Sequence, residues 1–216
     1  MPENVIFYID GFNLYHAIND HKNLAKEPDY KKYKWLDLMA LCKMYLQQEQ
    51  ILKDVYYFTA LATWNERKVN KHQVYIRALK SAGTKIIYGR FQGKDRECKN
   101  CHAMFTAHEE KLTDVNIATR LLLDAQKNRF DRAIIISGDN DLAPAIHAAK
   151  ELYPTKQIGV IVPINRMPTR NLKTAAHFHH RMTEQHLKSA QLPDEIKVGE
   201  SVIRKPDAWK LISTSS

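Results

Sequence analysis

The chain has 216 residues, is 44% hydrophobic and carries a formal net charge of +9. That length suits one domain, or one domain with an extension, and is enough to bury a real core; the apolar content excludes wholesale disorder, and no apolar run reaches a membrane span. The basic balance favours a polyanionic partner, three cysteines do not suggest a disulfide framework, and Met1-Pro2-Glu3-Asn4 shows no secretory leader, so a cytoplasmic location is expected.

In chain order, Val5-Ile6-Phe7-Tyr8-Ile9 reads as a strand buried on both faces. It ends in Asp10-Gly11-Phe12-Asn13, an acid at a strand's carboxyl end followed by a glycine that permits a tight exit. Asn13 either caps the segment from Leu14 to Ile18 or orients a water or a phosphate. Residues 19–34 are polar, rich in lysine and contain Pro28, which predicts a loop. Residues 35–46 read as a helix with Cys42 in the core, and residues 54–60 as a strand. Asn65 is the predicted cap of a helix through Ser81, with Val69, His72, Ile76 and Leu79 inward; Gly83 ends it and residues 84–88 form the next strand.

Residues 89–111 break the alternation. Cys98-Lys99-Asn100-Cys101 is half of a structural Zn²⁺ site, whose other half would be His108 with His102 or a ligand from elsewhere; the alternative is two free thiols in a loop. Thr113 is the predicted cap of a helix with Val115, Ala118, Leu121, Leu122 and Ala125 on one face. Asp114, in its first turn, either complements the helix dipole or aims a carboxylate at the crest of the sheet. Next comes Ile134-Ile135-Ile136, a buried strand, broken sharply by Ser137-Gly138-Asp139-Asn140-Asp141 before another helix with Pro144 in its first turn. One aspartate there can be a helix cap. Two carboxylates one residue apart repel, and a cation relieves the repulsion.

Residues 157–162 are one more buried strand. Residues 164–190 predict a short helix, a short strand or loop, and a second helix, rich in cations, with His177, His179 and His180 at the surface. From Gln191 the chain reads as an extended tail punctuated by Pro193 and Pro206, ending in a Ser/Thr run. The alternation of strands and helices implies an α/β fold with a parallel sheet covered by helices on both faces. The expected organisation is a domain over residues 1–165 and a helical extension with an extended tail over 166–216.

Asp10, Asp114, Asp139 and Asp141 stand at the ends of strands or the starts of helices. Hard oxygen donors without a dedicated cage suit Mg²⁺ or Mn²⁺, and such a site activates water and clamps phosphate oxygens. Charge is concentrated elsewhere: between Glu66 and Lys99 ten cations face three acids, a strip suited to phosphates. An acidic pit in a basic protein is the pattern of a phosphodiesterase.

Tyr8-Ile9-Asp10-Gly11-Phe12-Asn13, Glu110-Lys111-x-x-Asp114-Val115 and Ser137-Gly138-Asp139-Asn140-Asp141-Leu142-x-Pro144 together resemble the three motifs of the NYN domain, a PIN-like nuclease group that includes bacterial LabA-like proteins. The resemblance covers roughly residues 4–165, and the segment from Pro206 to Trp209 also looks like bacterial members. It implies a Rossmann-like PIN fold and metal-dependent cleavage of single-stranded or structured RNA. Asp10, Asp114, Asp139 and Asp141 would bind the metal, and Asn13 and Ser137 would support the substrate or a water. One departure is Leu112, where many relatives have Gly. The alternatives are an RNA-binding module without turnover, a metal-dependent hydrolase of a small molecule, and a DNA-directed relative of the FLAP type. The expected partner is RNA, with a homodimer left open and no membrane.

Overall fold

The computed structural model describes residues 2–19 and 30–210. Most of the expected loop around Pro28 and the terminal Ser/Thr run lie outside the described residues. In chain order, β1 (Glu3–Asp10) leads into α1 (Gly11–Asn19), α2 (Leu38–Lys43), β2 (Gln50–Thr59), α3 (Glu66–Ser81) and β3 (Lys85–Tyr88). A hairpin follows, β4 (Arg90–Glu97) and β5 (Met104–Lys111), then α4 (Thr113–Gln126), β6 (Arg132–Ile136), α5 (Ala143–Leu152) and β7 (Gln157–Val162). The remainder is α6 (Arg170–Ala175), β8 (Phe178–Arg181), α7 (Glu184–Ser189), and a second hairpin, β9 (Glu195–Val198) and β10 (Ser201–Arg204).

Among the described residues, six strands make one sheet in the order β3-β2-β1-β6-β7-β8, with every pairing parallel. Alternate side chains of the central strands feed two cores. Val5, Phe7, Ile9, Ile134 and Ile136 pack with Leu14, Leu38, Leu41 and Leu79 on the face covered by α1, α2 and α3. Ile6, Tyr8, Ala133 and Ile135 pack with Ile117, Leu121, Ile146 and Leu172 on the face covered by α4, α5 and α6. Both faces being dry explains why these strands read as continuous apolar runs. Each such side chain contributes roughly 1.5–3 kcal/mol of burial. The sheet does not stop at residue 165, because β8 pairs with β7 and completes it.

Several expected boundaries shift for identifiable reasons. The helix expected from residue 35 starts at Leu38: Asp37 is its cap and accepts from the Ala40 N–H. Residues ahead of it pair with the tail instead, through Asp37 N–H to Ala190 O and Leu192 N–H to Trp35 O, while the Trp35 indole donates to Pro193 O at 2.8 Å. Thr113 is the first residue of α4 rather than its cap, and Leu112 holds the cap position in the left-handed region at φ 76°. Val115 does not face the core; it is 61% exposed. The inward face runs through Ile117, Leu121 and Ala125. The tail is not simply extended, since it carries the β9–β10 hairpin with Gly199 at φ 58° in its turn.

The strand order reverses between β1 and β6, since the chain builds from β1 through β2 to β3 on one side and from β6 through β7 to β8 on the other. In open α/β sheets the crevice above the carboxyl ends of such a pair is where ligands bind, and both Asp10 and the loop carrying Asp139 lie there.

Candidate metal centre

Three elements deliver one carboxylate each. Asp10 ends β1, Asp114 sits in the first turn of α4, and Asp139 follows β6. One oxygen from each lies within 4.8 Å of the other two. Asp10 is 3% exposed and both its oxygens are engaged. Its Oδ1 accepts from the Asn13 N–H at 2.9 Å, and its Oδ2 accepts from the Ser137 hydroxyl at 2.8 Å. Each oxygen retains a further lone pair.

Asn13 and Ser137 both hydrogen-bond within the protein. The Asn13 side-chain oxygen accepts from the Gly138 N–H at 3.0 Å, tying the β6 loop to α1. It is Asp10, not Asn13, that caps α1. Ser137 is fully buried; its oxygen also accepts from the Asp139 N–H at 3.0 Å. Asp139 in turn caps the short 3-10 turn Asn140–Leu142, accepting from the Asp141 N–H at 3.0 Å. Asp139 thus serves as cap and as a member of the triad. Asp141 is exposed and outside the triad, and its charge acts on Asp114.

Gly11 is required by close approach rather than by a turn. A Cβ there would come within 2.5 Å of the Phe58 carbonyl oxygen and 2.6 Å of the Tyr57 ring. That contact lets α1 leave β1 directly over β2.

Gathering acids at a dry crest costs free energy. Burial pushes the Asp10 carboxyl up to about 6, and the charges of Asp114 and Asp139 add to it against the Asn13 and Ser137 hydrogen bonds. Burial and the charges of Asp139 and Asp141 likewise raise Asp114. Glu110 had no role in the reading of the sequence, although it opens the second motif. It lines the same cleft and takes a hydrogen bond from the Thr113 hydroxyl. Burial pushes it up to about 7, with Asp10 and Asp114 contributing. The donor set fits a hard divalent cation: three carboxylate oxygens within reach of one ion, crowded enough that a cation relieves their repulsion.

The expected zinc set does not come together. Cys98 and Cys101 sit at the tip of the β4–β5 hairpin, whereas His108 pairs with Gly93 further down the ladder. His108 lies four residue steps beyond Met104, which at about 3.4 Å each puts its backbone roughly 14 Å along the strand from the tip. His108 instead stacks on Trp64, ring centroids 3.6 Å apart and 8° from parallel. His102 contacts Glu97.

The model of the NYN domain matches residues 4–184. The chain belongs to the NYN domain family. This places it in a PIN-like, nuclease-related group whose acidic crest agrees with the triad above. A curated relative, 6-hydroxy-3-succinoylpyridine 3-monooxygenase HspA of Pseudomonas putida, is 26% identical, the alignment covering 96% of this chain and 76% of the relative. The fold is similar to the crystal structure of a protein of unknown function from Vibrio parahaemolyticus RIMD 2210633, with a TM-score of 0.57, 16% identity, and coverage of 88% of this chain and 97% of that one. No described helix of this NYN protein is long and apolar enough to cross a membrane.

Proposed function

We propose that this NYN protein is a divalent-cation-dependent endoribonuclease, with Mg²⁺ or Mn²⁺ held by Asp10, Asp114 and Asp139. The observation that carries the reading is the meeting of these three carboxylates, from three separate elements, at the switch point of the parallel sheet. A divalent cation there would lower the pKa of a water and shield the charge of a phosphodiester. The chain's own groups do the rest. Ser137 and Asn13 fix the Asp10 carboxylate and the Gly138 turn, so that the donors stay in place before substrate arrives. Glu110, hydrogen-bonded by Thr113 on the cleft wall, would take the proton of the attacking water. Asp141 adds negative charge beside Asp114 and favours cation retention. The ten cations between Glu66 and Lys99 supply attraction for the strand.

The test is cleavage of labelled RNAs and single-stranded DNAs with Mn²⁺, with Mg²⁺ and with chelator. The reading expects RNA products that need the cation; RNA bound but never cut would favour a binding module instead.

A second reading has its own support. The relative named as a monooxygenase of a pyridine compound, together with an aromatic-lined cavity next to the triad, favours a cation-dependent enzyme acting on a small aromatic molecule. Turnover of such a compound, with no cleavage of any nucleic acid, would put that reading first.

A further inference from the structure

A cavity beside the triad has no role in the metal site proposed above. It has a volume of about 480 Å³ and adjoins the acidic cleft, for Phe12, His108 and Glu110 line both. A space of this size is typical of a small-ligand site. One wall is aromatic and continuous. The Trp64 ring lies flat against His108 and meets Phe91 edge-on at 4.8 Å between centroids, and Phe91 meets Phe12 at 6.1 Å. Trp64 is 44% exposed and Phe12 41%, so both of these lining rings keep surface that a ligand could cover. The buried rings of Tyr57 and Tyr75 form part of the lining as well.

The polar groups are unevenly placed. Lys68 and Lys71, from the first turns of α3, line the cavity on one side. Glu110 lies where it joins the cleft. His72 bonds the Thr59 hydroxyl at 3.2 Å, and burial keeps its imidazole neutral near pH 7. An apolar side chain would not need the lysines, and a phosphate alone would not need the rings. A planar heteroaromatic ring joined to an anionic group uses both.

We propose that this cavity is a nucleobase subsite, taking one unpaired base of the RNA strand against Trp64, Phe91 and Phe12, with a phosphate of the same nucleotide on Lys68 and Lys71. The identity of the strand rests on the ribonuclease reading, while the ring-and-anion chemistry rests on the cavity. Because the cavity and the acidic cleft share a wall, the captured base selects which phosphodiester lies over the triad. The enzyme would then prefer certain bases beside its cut without reading a duplex. Stacking of this kind contributes about 1–3 kcal/mol per base.

The experiment measures binding by calorimetry on the full chain in chelator, where no cutting occurs. Probes are the four nucleoside 5′-monophosphates and nicotinate, a heteroaromatic acid that is not a nucleotide. Proteins are the native chain, Trp64→Ala and Trp64→Phe. The expected result is mononucleotide binding that weakens about tenfold or more in Trp64→Ala, is largely restored in Trp64→Phe, and goes with loss of base preference at the cut when RNA is digested with Mn²⁺. Mononucleotides that do not bind, or that bind Trp64→Ala as tightly as the native chain, overturn the proposal. So does nicotinate binding without nucleotide binding, which gives the cavity to a small molecule. Circular dichroism confirms that each variant is folded; were Trp64→Ala unfolded, Trp64→Leu, with part of the apolar bulk kept and the ring removed, must show the same loss. Native protein that cuts RNA but ignores mononucleotides removes the subsite and leaves the ribonuclease. Native protein that binds mononucleotides but cuts nothing removes the ribonuclease and leaves the subsite.

Discussion

Asp10 shows how a single side chain sets the conditions for the whole centre. Its folded pKa is about 6 and that of Glu110 about 7, both above the ordinary carboxylate range. A carboxyl with a raised folded pKa holds its proton more tightly in the native state. Its contribution to stability is full below about pH 4 and is lost as pH rises through about 6 and about 7. His72, pushed down to about 4, acts in the opposite sense: its contribution is full above about 6.5 and declines as pH falls toward 4. A cation therefore has more repulsion to relieve at pH 8 than at pH 5. Urea unfolding should show a larger stabilisation by Mn²⁺ at pH 8, and Asp10→Asn should abolish most of it. An equal gain at both pH values would place the ion elsewhere.

Leu112 is the other residue whose position matters. It is the departure noted in the motif, and it occupies the left-handed region at φ 76° just before α4. A branched side chain there is strained by about 1–2 kcal/mol, while glycine adopts the conformation freely at some cost in chain entropy. With Leu112 46% exposed, little packing is at stake. Leu112→Gly should raise stability by roughly 0.5–1 kcal/mol in urea melts. Destabilisation would show that the side chain supports the turn ahead of Asp114.

Among the elements, the strands were the most legible in the sequence, because Val5 to Ile9 and Ala133 to Ile136 are dry on both faces and cannot be interrupted by polar residues. Asp10, Asp114 and Asp139 were legible for the same reason: each follows or precedes a clear boundary. The β4–β5 hairpin was not, since most of its side chains are exposed and it lacks the alternation that marks a half-buried strand. Glu110 went without a role with it, because only the path of β5 brings that carboxylate to the triad. The start of α2 depended on pairing with the chain near residue 190, a contact that no local pattern encodes. At this scale the decisive junction is β1 to α1. Gly11→Ala would drive a methyl into the Phe58 carbonyl and the Tyr57 ring, and overpacking of this kind costs about 1–3 kcal/mol. Thermal unfolding should fall accordingly and cation binding should weaken with it. A variant of native stability would mean that α1 can slide, and that the approach to β2 is not fixed.

For the whole molecule, the proposed ribonuclease would use the net charge of +9 to hold a polyanion and the acidic crest to handle its backbone. Binding of single-stranded RNA in chelator should weaken with salt, each neutralised phosphate contributing about 0.7 to the slope of log K against log salt. Replacing Lys68 and Lys71 by Ala should lower that slope by about 1.4. An unchanged slope would separate these two lysines from the strand. The most direct test of the central claim is the single-turnover cleavage rate of one labelled RNA with Mn²⁺, compared between the native chain and Asp139→Asn. Asn retains the capping oxygen that Asp139 offers the Asp141 N–H, so the fold is preserved while a cation ligand is weakened. The account predicts a loss of about 100-fold or more. Cleavage at the native rate by folded Asp139→Asn would contradict it.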